Sequence, residues 1–354
     1  MSTTIDTDTL NALMGRILGD LGAAMGAPLV LIGDRLGLYR ALAESGPMHP
    51  AELAERTGTA ERYVREWLAQ QAASGYVSHD PGDGRYFMSP EQAAVFADEG
   101  GPAFLAGAWD VIAAGFRAEP RIADAFRTGG GMGWHEHHAC LFRGTERFFR
   151  SSYNQHLVES WLPALDGMVQ RLQQGASVAD VGCGHGASTI LMAQAFPQSR
   201  FHGFDYHVPS IERAREAAQL AGVADRVTFT PALSTAYPGS GYDLVTFFDC
   251  LHDMGNPVAA AAHVRQTLTP DGAWMIVEPF AHDDTAMNFN PVGRVYYAAS
   301  TLICTPASLS QDGAMALGAQ AGPARLQDVV TKGGFSRFRQ AAETPFNLVF
   351  EARA

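Results

Sequence analysis

Lysine is nearly missing: Lys332 is the only one in 354 residues. The 25 basic residues are outnumbered by 37 acids, for a formal charge of −12. Nucleic-acid binding relies on basic patches that release counterions from phosphates, so this balance disfavours a nucleic-acid partner. Cysteine is also scarce. Cys140, Cys183, Cys250 and Cys304 are too few and too scattered for a disulfide framework, and no pair has the spacing of a zinc ribbon. Met1–Asp8 has no basic run and no apolar centre, unlike a signal peptide. Apolar stretches such as Ala24–Ile32 are interrupted by glycine and fall short of the roughly 20 residues that span a bilayer. The expectation is a cytoplasmic protein with no membrane partner.

What is present is 47% hydrophobic residues, enough for buried cores, and a length that suggests about two domains. From Leu10 to Ala43 apolar residues recur at helical spacing, more richly than a solvated helix pair needs, so part of that face is expected to meet another subunit. A short helix near His49–Glu55, a longer one near Ala60–Ser74, and strands near Gly75–Ser78 and Arg85–Met88 form the pattern of a winged helix. Residues 1–90 hold 7 arginines against 11 acids, the wrong sign for a DNA clamp. A dimerisation role for 1–90 therefore takes precedence over DNA reading. Residues 91–165 read as a helical, pocket-covering linker. Within it, Gly129–His138 is a glycine-rich loop ending in Trp134, His135, Glu136, His137 and His138. Neighbouring histidines rarely converge on one ion unaided, so a polar pocket wall is expected there and no metal.

Residues 166–354 alternate strands and helices, which implies a doubly wound parallel sheet with its ligand at the carboxyl ends of the strands. Ser177–Val181 leads into Gly182, Cys183, Gly184, His185 and Gly186, and Asp205 follows at the end of the second strand. Glycines let a backbone turn tightly and approach a ligand, while a carboxylate there can accept from both hydroxyls of a ribose. The ligand should contain a nucleoside. A pyrophosphate prefers G-x-G-x-x-G, but this loop is G-x-G-x-G and follows Asp180, whose charge suits an ammonium better.

Val178–Gly186 resembles motif I of class I S-adenosylmethionine-dependent methyltransferases, with Asp205 matching their ribose-binding acid. Gly334–Ala342 and Pro345–Glu351 resemble that family's C-terminal antiparallel hairpin. The implied fold is an α/β, Rossmann-like, seven-stranded sheet plus a mainly helical N-terminal winged-helix domain. The implied cofactor is S-adenosyl-L-methionine, leaving as S-adenosyl-L-homocysteine. Its site would comprise Asp180, Gly182, Cys183, Gly184, Gly186, Asp205, Tyr206, Ala232, Leu233 and Phe248, with Tyr153, just before the long helix into the catalytic domain, closing over it.

The winged helix resembles the dimerisation domain of small-molecule O-methyltransferases, implying a homodimer and a small-molecule acceptor. That group carries H-D-W after the fourth strand; here the segment contains His252, Asp253 and Met254. The resemblance makes His252 the general base, with Asp253 beside it and Glu278 orienting it. Met254 departs from the tryptophan, Asn256 from a second acid. A further flanking Glu has no counterpart between Glu278 and Glu343, leaving Asp283, Asp284 or Asp312 as substitutes. Trp134, His138, Met254, Phe289, Arg294 and Tyr297 are expected at the acceptor. Two other readings stay open: an S-adenosylmethionine-binding enzyme that transfers no methyl group, and a ligand-responsive winged-helix regulator.

Overall fold

The computed structural model describes residues 5–354, so Met1–Thr4 of the stretch read as no leader lie outside the described residues. The chain forms two compact units, one of residues 1–113 with 143–151, the other of 114–142 with 152–354. The segment 91–165 is thus shared between them.

In the first unit, α1 (Thr7–Arg35) starts at Asp6, whose carboxylate accepts the N–H groups of Asp8 and Thr9. Such a cap satisfies amides that lack intrahelical partners. The glycines expected to interrupt this apolar run instead lie inside one helix of 29 residues, which by length and composition could cross a membrane. Tertiary packing explains two of them. A Cβ on Gly26 would lie 2.6 Å from Gln70 Nε2, and one on Gly33 would lie 2.4 Å from the Trp67 ring. Close packing against the chain at 61–73, not a break, is what these positions require.

α2 (Leu38–Ser45), α3 (Pro50–Thr57) and α4 (Glu61–Ala73) follow, then a two-stranded wing of β1 (Ser78–His79) and β2 (Tyr86–Phe87). The wing begins later than expected because Tyr76 donates its N–H to Gln71 O, continuing the turn that leaves α4. α4 buries Val64, Trp67, Leu68 and Gln71, spaced for one helical face, against Tyr39, Leu42, Leu53 and Phe96. On its outer face Arg62 pairs with Glu66 and Arg65 with Glu61.

The second unit holds a seven-stranded sheet of β3 (Ser177–Val181), β4 (Arg200–Asp205), β5 (Val227–Pro231), β6 (Tyr242–Phe248), β7 (Leu268–Pro279), β8 (Arg337–Glu343) and β9 (Asn347–Arg353). Their spatial order is β5-β4-β3-β6-β7-β9-β8. Pairing is parallel from β5 through β7, and antiparallel for β7–β9 and β8–β9. Val178, Ala179, Asp180 and Val181 are all buried, as expected for a central strand covered on both faces. Strand order reverses between β3 and β6, the switch point where an open α/β sheet offers a crevice to a ligand.

Candidate active site

β3 ends in a turn through Gly182, Gly184 and Gly186, all with positive φ. Gly184, at φ +52°, has open space where a Cβ would lie, so a ligand can approach its backbone. Gly186, at φ +81°, has none: a Cβ would meet the Phe229 ring at 2.6 Å. The Gly184 N–H donates to Asp205 Oδ2 at 3.0 Å, and the His207 N–H donates to Asp205 Oδ1 at 2.8 Å. Burial pushes the Asp205 carboxyl up, and these two N–H groups oppose that shift. Ala232 donates its N–H to the Asp205 carbonyl, which brings the chain after β5 to the same edge. Leu233 beside it is exposed.

Asp180, expected to offer its charge to an ammonium, is fully buried. Its carboxylate accepts from Ser188 Oγ at 2.7 Å, Thr189 Oγ1 at 2.5 Å and Thr246 Oγ1 at 3.0 Å. It ties the glycine turn to the next helix, Ala187–Ala195, and to β6, a positioning function. Cys183 is likewise buried. Tyr153 lies inside the helix Cys140–His156 rather than before one, and its ring packs 5.2 Å from Phe248, at the end of β6.

The second half of the site comes from strand register. β6 runs beside β7 with Phe248 opposite Val277, so Glu278 emerges next to the turn that leaves β6. Asp249 takes φ +50° there, and its Oδ1 accepts from Asn347 Nδ2 at 2.8 Å. The turn Leu251–Asp253 then places His252 Nδ1 2.5 Å from Glu278 Oε2, while Glu278 Oε1 accepts the Leu251 N–H. His252 Nε2 lies 3.0 Å from Asp253 Oδ1. Burial disfavours the charged ring, but the carboxylates of Glu278 and Asp253 outweigh it and hold the His252 pKa well above the usual imidazole range. The carboxylate beside the second ring nitrogen is that of Asp253, the neighbour in sequence. Asp283 instead accepts the Ala324 N–H, and Asp284 caps Thr285–Asn288.

The residues expected at the acceptor divide. Trp134 packs 5.4 Å from Phe142 and 6.5 Å from His137. His135 meets Tyr206 edge-on, and Phe142 lies over His207, so this segment reaches the chain that follows Asp205. Gly131 is pressed against Pro306 and Ser310, and Met132 donates its N–H to Pro306 O. His138, however, is exposed and contacts Arg117 and Cys140. Its neighbour His137, overlooked as a separate candidate, is buried with no hydrogen-bond partner on either ring nitrogen. Burial, the largest influence, lowers its pKa. Met254 belongs to the core under the sheet, Phe289 is 76% exposed beside Tyr297, and Arg294 is exposed. In sequence, one buried histidine among four adjacent polar residues carries no signal of its own.

The methyltransferase domain profile matches residues 179–274, and the Rv2258c-like winged HTH domain profile matches residues 24–97. The 27-O-demethylrifamycin SV methyltransferase of Amycolatopsis mediterranei (strain S699) is 33% identical over 110 residues, 30% of this chain and 40% of that protein. The (S)-coclaurine N-methyltransferase of Thalictrum flavum subsp. glaucum is 24% identical over 144 residues, 39% of this chain and 40% of that one. The chain thus spans about two fifths of the length of these curated relatives. Among solved structures, a mitomycin 7-O-methyltransferase superposes with a TM-score of 0.71 at 21% identity, covering 99% of this chain and 100% of that one. Human N-acetylserotonin methyltransferase in complex with SAM superposes with a TM-score of 0.69 at 18% identity, covering 100% and 99%. These likenesses show a Rossmann-like methyltransferase fold.

Proposed function

Because the chain carries a methyltransferase domain behind a winged-helix domain, we propose that it moves a methyl group from S-adenosylmethionine to a hydroxyl oxygen of a small molecule. S-adenosylhomocysteine is the second product, and His252 is the base. The observation that carries this reading is the bond from the Gly184 N–H to Asp205 Oδ2, which locks the glycine turn and the ribose acid together. Each Asp205 oxygen keeps a second lone pair for a ribose hydroxyl, and Gly184 leaves room for the nucleoside to approach.

S-adenosylmethionine supplies a methyl group made electrophilic by its sulfonium. The chain's own task is alignment and the handling of one proton. Glu278 accepts a hydrogen bond from the Nδ1–H of His252, which leaves Nε2 as the nitrogen that accepts the acceptor's hydroxyl proton. The acceptor oxygen enters where Asp253 Oδ1 now faces Nε2, and both carboxylates then compensate the imidazolium. His137, whose buried ring nitrogens have no hydrogen-bond partner, is the further residue assigned to the acceptor in this reading. Oxygen as the methylated atom is supported by the likeness to the 27-O-demethylrifamycin SV methyltransferase and the mitomycin 7-O-methyltransferase.

Two copies associate through α1, whose Leu10, Leu13, Met14, Ile17, Leu18 and Leu21 are exposed in the single chain. A DNA-reading role is not supported, because the outer arginines of α4 are paired within their own helix.

The test is calorimetric titration of the full chain with S-adenosylmethionine, S-adenosylhomocysteine and NAD, for wild type and Asp205→Ala. Saturable binding of the two sulfur nucleosides, lost in the variant and absent for NAD, is expected. No binding by wild type would overturn the reading.

A further inference from the structure

The chain segment Ser300–Cys304, a π-helical turn between two short helices, brings a thiol to the base. Cys304 Sγ, a His252 ring nitrogen and an Asp253 carboxylate oxygen all lie within 4.8 Å of one another. Nothing in the sequence joins them, since Cys304 lies about fifty residues beyond the histidine. Zinc bonds of about 2.0–2.3 Å in a tetrahedron separate ligand atoms by roughly 3.3–3.8 Å, so small side-chain adjustments suffice.

Two features make this cluster a ligand set. Asp253 Oδ1 is buried and lies 3.0 Å from Nε2. Glu278 holds the opposite nitrogen, Nδ1, at 2.5 Å. A carboxylate on one histidine nitrogen turns the other toward an ion and strengthens it as a ligand. Thiolate, imidazole and carboxylate together suit Zn²⁺ far better than Mg²⁺ or Ca²⁺.

We propose that His252, Asp253 and Cys304 form a Zn²⁺ site whose occupation shuts the base off. Cys304 binds as thiolate and His252 through a neutral Nε2, the thiol proton and any proton on Nε2 passing to solvent, and Nε2 gives the ion the lone pair that would otherwise take the acceptor's proton. The fourth position stays open to water. The binding claim stands on geometry alone; only the shut-off rests on the role of His252 proposed above.

The experiment uses the full chain, stripped with a chelator and then titrated with Zn²⁺ in a calorimeter and with Co²⁺ in a spectrophotometer. Expected are one ion per chain and a thiolate-to-cobalt charge-transfer band. Cys304→Ser, checked for folding by circular dichroism, should lose that band and bind zinc more than about tenfold more weakly. Glu278→Gln should weaken binding by about 10- to 100-fold without losing the band.

Zinc at saturation should halt methyl transfer in wild type, and chelator should restore it. Absence of stoichiometric binding would overturn the proposal. So would binding unchanged in Cys304→Ser, or binding that disappears instead in a His135→Ala, His138→Ala double variant. Zinc that occupies the site while transfer continues would overturn the shut-off. Failure of metal-free protein to transfer any methyl group, with zinc binding intact, would count against the methyltransferase reading and leave the site standing.

Discussion

His252 Nδ1 and Glu278 Oε2 lie 2.5 Å apart, joined by the register of β6 and β7 although 26 residues separate them in sequence. With Asp253 on the other ring nitrogen, they hold the His252 pKa well above the ordinary imidazole range despite burial. A base must be neutral to accept a proton, so methyl transfer should rise with pH through an inflection above that range. Glu278→Gln removes one carboxylate and should move the inflection to lower pH. His252→Ala should lower kcat by about 100- to 10,000-fold. Profiles of kcat/KM against pH check this, and an inflection that does not move in Glu278→Gln would sink the coupling.

The same shift carries a stability consequence with a definite sign. A group whose folded pKa is raised contributes stability fully below its unfolded pKa and loses it as pH rises through the folded value. Wild type should therefore shed this contribution on the alkaline side of the ordinary histidine range. Glu278→Gln should shed less of it, as read from thermal unfolding across that range.

Asp180→Ala should destabilise the catalytic unit by about 1–3 kcal/mol for each buried hydroxyl left without a partner. Three hydroxyls, from Ser188, Thr189 and Thr246, are exposed to that loss. Asp180→Asn keeps an acceptor and should cost less. Denaturant midpoints separate the two, and equal midpoints for both variants would refute the positioning role.

His137→Ala should lower kcat/KM for the acceptor by about 2- to 10-fold, the size of one ordinary hydrogen bond. Affinity for S-adenosylmethionine should not change. The buried, unpartnered ring motivates both halves of this expectation. A matching loss of donor affinity would show that His137 supports the glycine turn instead.

Wild type should run as a dimer in light scattering. Met14→Glu, Leu18→Glu and Leu21→Glu together should give a monomer, because they charge the exposed face of α1. Charged carboxylates cannot be buried there without partners. Retention of the dimer would place the interface elsewhere.

Much of the fold was legible in the chain because its signals are local. Strand and helix periods, the glycines at 182, 184 and 186, and the two helices before a wing all follow from short-range pattern and backbone freedom. Asp205 was legible for the same reason: the end of a strand next to a glycine turn is a place that sequence order alone specifies. The acidic balance and the shortage of lysine likewise belong to the sequence.

Other facts depended on distances that only folding creates. α1 runs through its glycines because Trp67 and Gln70 press against them, a packing contact invisible to periodicity. Asp180 turned inward because three hydroxyls converge on it from two elements. Cys304 came to His252, and His137 rather than His138 was buried, because loops far apart in sequence close on the same strand ends. Residue types can announce which groups are able to take a proton or hold a ribose. Which of them meet is set by register and packing, where a shift of one residue sends a side chain to the other face.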